Sequence, residues 1–214
     1  LEKALSTILR TEIKTTGAGR TDTGVHAKKM FAHFDFDGEI SEKLVHQLNS
    51  FLPPSIAIKR IFEVKEDFHA RFSAKYRTYE YYISLEKNPF SEKFAWQHWR
   101  KSLDVEKMNE ACKILFEYED FGSFAKVGAD NKTNICKIYH ANWEQNGNEL
   151  KFTISADRFL RNMVRAIVGT MVEIGSGKLK PADLRNVIEA KNRGVAGTSA
   201  PAHALFLVDV GYDF

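Results

Sequence analysis

The sequence predicts an α+β fold in which strands and helices form two separate groups. Strand-like and helix-like stretches do not alternate as regular βα units; one group precedes residues 66–75 and the other follows them. The second group contains a hairpin signal, the sequence Asn-Gly-Asn at residues 146–148 between two strand-like runs. With 214 residues, 43% of them hydrophobic, the chain can bury a sizeable core. We therefore expect one large domain or two small ones.

The first group of elements contains two helices and three strands. Apolar residues recur at helical spacing over the first nine residues, and Pro53 with Pro54 ends a second helical pattern. In chain order the predicted elements are a helix over 1–9, a strand at 12–16, a strand at 30–36, a helix at 41–51 and a strand at 56–64.

The second group begins with a long strand rich in aromatic and β-branched residues. Its helices are an amphipathic one with Asp104 as the N-cap, a nearly all-round apolar one that we expect to be buried, and a third that Pro181 opens. We expect the apolar helix to end with Gly175 in the C′ position. In chain order the predicted elements are a strand at 76–85, a helix at 103–116, strands at 136–145 and 149–156, helices at 159–174 and 181–191, and a strand at 205–211.

The charge of the chain leaves the nature of its partner open. Lys plus Arg exceed Asp plus Glu by only 31 to 28, which neither proves nor excludes a nucleic acid as partner. Residues 151–180 are more basic, which suits a surface facing phosphates, although a solvated helix face predicts the same charges. The charged residues of this stretch are Lys151, Arg158, Arg161, Arg165, Lys178 and Lys180 against Asp157 and Glu173.

The two cysteines, Cys112 and Cys136, are too few for a disulfide framework or a zinc cluster, so we expect reduced, buried thiols. No apolar run approaches the roughly 18 residues of a membrane span, and the first residues show no signal-peptide pattern. We therefore expect a cytoplasmic protein without membrane contact.

Several familiar catalytic patterns are missing. The glycines at 17, 19 and 24 match neither the phosphate-loop nor the dinucleotide-binding pattern, and the histidines show no paired metal spacing. A G-x-S-x-G elbow is also absent. The sequence thus predicts neither a metal nor a cofactor, and a hydrolase is disfavoured.

The loop at residues 17–27 carries the strongest candidate for chemistry. It reads Gly-Ala-Gly-Arg-Thr-Asp-Thr-Gly-Val-His-Ala and places the carboxylate of Asp22 beside Arg20 among conformationally free glycines. On spacing alone, a role for Asp22 in capping a turn is favoured. The case for a chemical role of Asp22 therefore rests on the whole motif around it.

Three ordered motifs resemble those of the TruA-type tRNA pseudouridine synthases. The first is the G-R-T-D-x-G-V-H string around Asp22, the second runs from Asp67 to Tyr81, and the third runs from Phe159 to Gly169. The resemblance covers essentially the whole chain. It implies a pseudouridine synthase fold with two related antiparallel-sheet halves, flanking helices and a central cleft. The expected halves are residues 1–70, with the catalytic loop, and 71–214.

Family members normally begin with a further strand and with Tyr-Asp-Gly and Gly-Trp-Gln segments ahead of the first helix. This sequence has neither segment, so we expect an incomplete N-terminus and a missing first strand in the N-terminal sheet.

The resemblance implies three catalytic residues. Asp22 would act as nucleophile or base, and Arg165 would be the guanidinium that keeps it charged. A cation in an apolar helix favours a specific partner, although any surface carboxylate could serve. By the resemblance Tyr79 lies against the target base, whereas its strand pattern alone predicts a core residue; Tyr76 and Tyr81 are expected in the core or at its edge.

The same motifs supply candidate RNA contacts. Arg20 could occupy the space that a flipped-out base leaves, or contact a phosphate, and His26 is expected to brace the loop. Arg71, Lys75 and Arg77 could touch the RNA backbone, but the solvent face of a strand predicts the same charges. The full set of predicted RNA-binding residues is Arg20, His26, Arg71, Arg77 and Arg161.

By the resemblance, the activity is the isomerisation of uridine to pseudouridine in the anticodon arm of tRNA, at roughly positions 38–40, by a homodimer without cofactor. The main alternative is a non-catalytic RNA-binding module on the same scaffold. A glycoside hydrolase or nucleosidase would need a second carboxylate about 5–10 Å from Asp22, which the motif does not offer.

Overall fold

The computed structural model describes residues 1–99, 102–129 and 131–214. Within these ranges the chain packs as two compact units: Leu1–Gly19 with Phe31–Ala74 and Tyr212–Phe214, and Arg20–Met30 with Lys75–Gly211. Both contain helices and strands, and the predicted α+β class is confirmed. The division into halves of residues 1–70 and 71–214 stays a prediction.

The helices and strands of the described residues occur in this order. The helices are α1 (Glu2–Leu9), α2 (Leu44–Phe51), α3 (Val105–Ile114), α4 (Met163–Gly175) and α5 (Asp183–Glu189). The strands are β1 (Thr16–Gly17), β2 (His26–Ala27), β3 (Ala32–His33), β4 (Tyr76–Ser84), β5 (Trp96–Gln97), β6 (Ile138–Asn146), β7 (Glu149–Ala156) and β8 (Leu205–Gly211).

The smaller unit has its own hydrophobic core between α1 and α2. The two helices form as predicted, but the strands expected at 12–16 and 30–36 shrink to the two-residue pair β1 and β3, which is antiparallel. The buried residues of this core are Ala4, Leu5, Ile13, Leu44 and Leu48.

The strand predicted at 56–64 is wrong, because this stretch of the described chain forms no strand. The side-chain amide of Asn49 donates to the carbonyl of Ile58 at 2.9 Å and accepts from its amide at 2.7 Å. The backbone therefore finds its partners in a side chain instead of a neighbouring strand. Ile58 and Ile61 still pack against the small core, which accounts for the apolar pattern.

The larger unit is built on a sheet that, among the described residues, has six strands in the order β2-β8-β4-β7-β6, with β5 also on β4. β4 is antiparallel to both β7 and β8, and β2 lies parallel to β8. Tyr79 in β4 faces Ile154 of β7 and Leu207 of β8, so it lies in the middle of the sheet.

α4 fills the core of this unit. Every residue of the helix is buried except Arg165 and Glu173, as the apolar pattern predicts. The helix begins at Met163, four residues later than predicted, because Asn162 has a left-handed backbone (φ 68°). Arg158 and Arg161 therefore precede the helix instead of lying on it.

The end of α4 also differs from the prediction. Gly175 belongs to the helix and packs against Met108, whereas Gly177 has the positive φ of 78° expected after a helix. Gly175 is thus the last residue of the helix and packs against its neighbours, and Gly177 takes the C′ position that was predicted for Gly175.

Other predicted features of this unit are confirmed. Asp104 caps α3 by accepting a hydrogen bond from the amide of Lys107 at 3.0 Å, and β6 and β7 form the expected hairpin around Gly147, with φ 58°. Cys112 and Cys136 are free and buried, and burial raises the pKa of both thiols to about 12. Among the described helices, none combines the length and the apolar character needed to cross a bilayer.

Gly169 allows the helix α4 to touch another backbone segment directly. A β-carbon at this position would collide with the carbonyl oxygen of Thr198. We expect Gly169→Ala to lower the free energy of unfolding by about 1–3 kcal/mol, because either α4 or the segment around Thr198 must shift. Urea unfolding followed by circular dichroism measures this change.

The matched control is Glu173→Ala, at a partly exposed position of the same helix whose side chain forms a long ion pair of 3.8 Å with Lys178. We expect it to change stability by less than about 0.5 kcal/mol. Equal losses in both variants would contradict the close packing at Gly169.

Candidate catalytic site

The carboxylate of Asp22 lies between two guanidinium groups. Its Oδ2 accepts a hydrogen bond from Nη1 of Arg165 at 3.0 Å, and its Oδ1 lies 3.7 Å from Nε of Arg161. The Asp22 and Arg165 side chains are only 19% and 21% exposed, whereas that of Arg161 is 62% exposed. Partial removal from water strengthens the attraction between Asp22 and Arg165 relative to a surface ion pair.

The loop that carries Asp22 is fixed at its exit. The carbonyl of Asp22 accepts a hydrogen bond from the amide of Val25 at 3.0 Å, and Gly24 adopts a φ of 87° that suits glycine. After this turn, β2 pairs with β8, and the amide of Lys28 donates to the carbonyl of Leu207 at 2.8 Å. The main chain of Asp22 therefore makes the turn, which leaves its carboxylate for the guanidinium groups.

The guanidinium of Arg165 is hydrogen-bonded to the main chain of Ala200 as well as to Asp22. Its Nε donates to the carbonyl of Ala200 at 2.7 Å, and the amide of Ala200 donates to the carbonyl of Arg165 at 3.0 Å. With Nε occupied, Nη1 remains for Asp22. A lysine could not make both bonds in this geometry, since it lacks the planar fork of donors.

Tyr79 lies at the same site as a half-buried, protonated phenol. Burial raises its pKa to about 12, the charge of Arg77 opposes this rise, and the charge of Asp22 adds to it. Its ring meets that of Phe159 edge to face, with centroids 5.2 Å apart. At neutral pH, Tyr79 can therefore donate a proton in a hydrogen bond or stack on a planar group, but it is poorly suited to act as a base.

His26 braces the loop by packing and by a polar contact. Its ring stacks on that of Phe206, with centroids 4.7 Å apart, and its Nε2 lies 3.3 Å from the carbonyl oxygen of Lys93. These contacts fit the expected bracing role, and contact with RNA stays a prediction.

The predicted RNA-binding arginines have different surroundings. Arg20 is exposed on the same loop as Asp22, and Arg77 donates to the carbonyl of Asp157 at 2.8 Å. Arg71 belongs to the smaller unit, where its guanidinium lies 5.6 Å from the centre of the Phe72 ring. The larger unit thus brings together Asp22, Tyr79, Arg165 and Arg161, and the roles of all these residues stay predictions.

Sequence reasoning missed two features of the site. Arg161 was expected only as an RNA contact, yet it lies beside the carboxylate of Asp22. The hydrogen bond from Arg165 to the carbonyl of Ala200 could not be predicted, because a main-chain acceptor in a run of small residues leaves no pattern of side chains in the sequence. The position of Arg161 beside Asp22 did have a signal in the sequence, because Arg161 lies in the third motif together with Phe159 and Arg165.

The larger unit thus places an oriented carboxylate, that of Asp22, near the neutral phenol of Tyr79. Such a pair can supply a nucleophile or base together with a hydrogen-bond donor. Among the described residues, no three His, Cys, Asp or Glu side chains are grouped so as to hold a metal ion.

Comparison with known proteins identifies the family. A family model described as tRNA pseudouridine synthase matches residues 111–213. The chain is 54% identical over 214 residues to the tRNA pseudouridine synthase A of Parabacteroides distasonis. This alignment covers 99% of this chain and 84% of the relative. It is 38% identical over 218 residues to that of Bacillus subtilis, covering 100% of this chain and 88% of the relative. The chain belongs to the tRNA pseudouridine synthase family.

The raised pKa of Tyr79 gives a test of the site by titration. The phenol should keep its proton up to about pH 12, against an ordinary pKa of about 10, because its surroundings disfavour the phenolate. Between these two values the folded state retains the Tyr79 proton that the unfolded chain loses. The contribution of the neutral phenol to the free energy of unfolding is therefore intact below about pH 10 and is lost as the pH rises towards 12.

The measurement is the phenolate absorbance of the wild type minus that of Tyr79→Phe, recorded as a function of pH while the fold is monitored by circular dichroism. We expect the difference in phenolate absorbance to appear only near pH 12 or when the protein unfolds. A difference titrating at or below the ordinary value would show that Tyr79 is not shielded from water.

Proposed function

We propose that this chain isomerises uridine to pseudouridine in tRNA. The reaction breaks the bond from uracil N1 to ribose C1′ and joins that carbon to uracil C5, with no net oxidation or hydrolysis. It needs a charged carboxylate, a site that retains the freed uracil, and removal of the proton from C5. The observation that carries the proposal is the 3.0 Å contact between Asp22 and Arg165, in a chain 54% identical to a relative named tRNA pseudouridine synthase A.

Each residue of the site has a part in this proposal. Arg165 holds and directs the carboxylate of Asp22 through their 3.0 Å hydrogen bond. Asp22 acts as nucleophile or base, and attack on the ribose, addition to the uracil ring and abstraction of a sugar proton are all consistent with its position. Tyr79 stacks on the uracil or donates its hydroxyl proton, in keeping with its raised pKa of about 12.

The target nucleotide must leave its stack before a carboxylate can reach it, at a cost of a few kcal/mol. We propose that Arg20 and the exposed Arg161 stabilise the extruded nucleotide by stacking or phosphate contact, and that His26, Arg71 and Arg77 contribute further RNA contacts. By the family resemblance, the substrate is the anticodon arm at roughly positions 38–40, and the enzyme works in the cytoplasm as a homodimer.

The decisive experiment uses the substitution Asp22→Asn. Purified protein is incubated with unmodified tRNA, and pseudouridine is mapped by position. We expect the single-turnover rate to fall by at least about a thousandfold, because the amide can act neither as a nucleophile nor as a base. Binding of tRNA should change far less, since Asp22 contributes no positive charge to the interface.

Asp37→Asn is the control, because it removes the same charge from an exposed residue of the smaller unit. Its rate should equal that of the wild type. Undiminished product from Asp22→Asn would remove Asp22 from the chemistry. Tight tRNA binding by the wild type without any pseudouridine would favour the non-catalytic RNA-binding module.

A further inference from the structure

A short segment of the larger unit, Gly197–Pro201, runs directly against α4; we call it the clamp segment. Gly169 in the helix and Gly197 in the segment make this approach possible, since a β-carbon on Gly197 would lie 2.7 Å from the amide nitrogen of Thr170. A β-carbon on Gly169 would overlap the carbonyl of Thr198. Backbone therefore meets backbone here without intervening side chains.

The clamp segment touches the guanidinium of Arg165 through Ala200. The carbonyl of Ala200 accepts from Nε at 2.7 Å, and its amide returns a bond to the carbonyl of Arg165 at 3.0 Å. The position of the Ala200 carbonyl therefore sets the orientation of the guanidinium plane, and with it the direction of Nη1 towards Asp22.

Two buried hydroxyl groups anchor the ends of the clamp segment. At one end, Oγ1 of Thr170 accepts from the amide of Gly197 at 2.9 Å and donates to the carbonyl of Ala166 at 2.9 Å. At the other end, the hydroxyl of Tyr81 donates to the carbonyl of Pro201 at 3.0 Å. Thr170 and Tyr81 are both 0% exposed, so water does not replace either bond.

Core packing alone does not account for the Tyr81 hydroxyl. A phenylalanine would fill the same space, whereas a buried hydroxyl is unfavourable unless it forms a hydrogen bond. Burial also raises the pKa of Tyr81, which keeps the hydroxyl protonated as a donor, while the charge of Arg165 has the opposite effect on that pKa.

We infer that Tyr81 and Thr170 are positioning residues that hold the clamp segment so that Ala200 directs Arg165 at Asp22. Neither residue touches the reacting atoms; each acts through the main chain of residues 197–201. This inference rests on the proposed function, because it assigns these residues to the pseudouridine-forming site.

The test compares Tyr81→Phe and Thr170→Val with the wild type in single-turnover reactions with tRNA. Each substitution preserves the shape of the side chain and removes one hydroxyl. We expect each to slow pseudouridine formation by about tenfold, since a small displacement of an orienting group weakens catalysis strongly. The dissociation constant for tRNA should stay within about twofold, because neither residue faces solvent.

The matched control is Tyr118→Phe. The Tyr118 hydroxyl is bonded to Glu189, away from the clamp segment, so its loss should leave the rate unchanged. Melting temperatures recorded for all variants show whether each protein is folded at the assay temperature.

Tyr81 and Thr170 could affect the rate by stabilising the fold in general, and a second set of variants separates this effect from positioning. In that set, Tyr81→Phe and Thr170→Val are each combined with Arg165→Lys as the background. Lysine keeps the charge but has no guanidinium plane for the Ala200 carbonyl to orient. We expect Tyr81→Phe and Thr170→Val to cause no further loss of rate there. Full, multiplicative losses in that background, or wild-type rates for both single variants, would overturn the inference.

A second readout does not depend on activity. Nuclear magnetic resonance can follow the exchange of the Arg165 Nε hydrogen with water, which its bond to Ala200 should slow. We expect faster exchange in Tyr81→Phe and Thr170→Val than in the wild type and Tyr118→Phe. Unchanged exchange would overturn the positioning role, whereas a wild type that forms no pseudouridine but shows these exchange differences would refute the proposed function alone.

Discussion

The attraction between Asp22 and Arg165 is the constraint on which the arrangement of the candidate site depends. The two residues are 143 positions apart in the chain, so each must be delivered by its own rigid element. Asp22 comes from a loop that β2 ties to β8, and Arg165 comes from a helix that is otherwise buried apart from Glu173. An unpaired charge on such a helix would be strongly unfavourable. The carboxylate of Asp22 therefore contributes to the placement of Arg165, and under the proposed function it also takes part in the chemistry.

The helix, the sheet and the segment 197–201 each contribute to the surroundings of this ion pair. Gly169 and Gly197 bring the main chain of Ala200 within hydrogen-bonding distance of the Arg165 guanidinium. The central strand β4 presents Tyr79 beside the ion pair and Tyr81 beneath the clamp segment, because residues two apart on a strand share a face. Burial raises the pKa of both phenols and keeps them neutral.

The sequence carries more information about the site than about some of the elements around it. The resemblance of three ordered motifs to those of the family points to Asp22, Tyr79 and Arg165 as candidates, and the apolar run correctly predicts that α4 is buried. The strand at 56–64 could not be distinguished from an extended chain, because Asn49 satisfies the Ile58 backbone that a strand partner would otherwise bond. The start of α4 depends on the left-handed Asn162, and the contact with Ala200 depends on a main-chain carbonyl. Neither produces a periodic pattern of side chains.

The most direct test of the central claim is chemical rescue of Arg165→Ala by guanidinium ions added to the pseudouridine-forming reaction. If a guanidinium beside Asp22 is what the chemistry requires, the variant should be slow and should recover part of its rate as guanidinium is added at concentrations too low to unfold the protein. The same addition should have no effect on Asp22→Asn. A wild-type rate for Arg165→Ala without guanidinium, or equal stimulation of Asp22→Asn, would contradict the account.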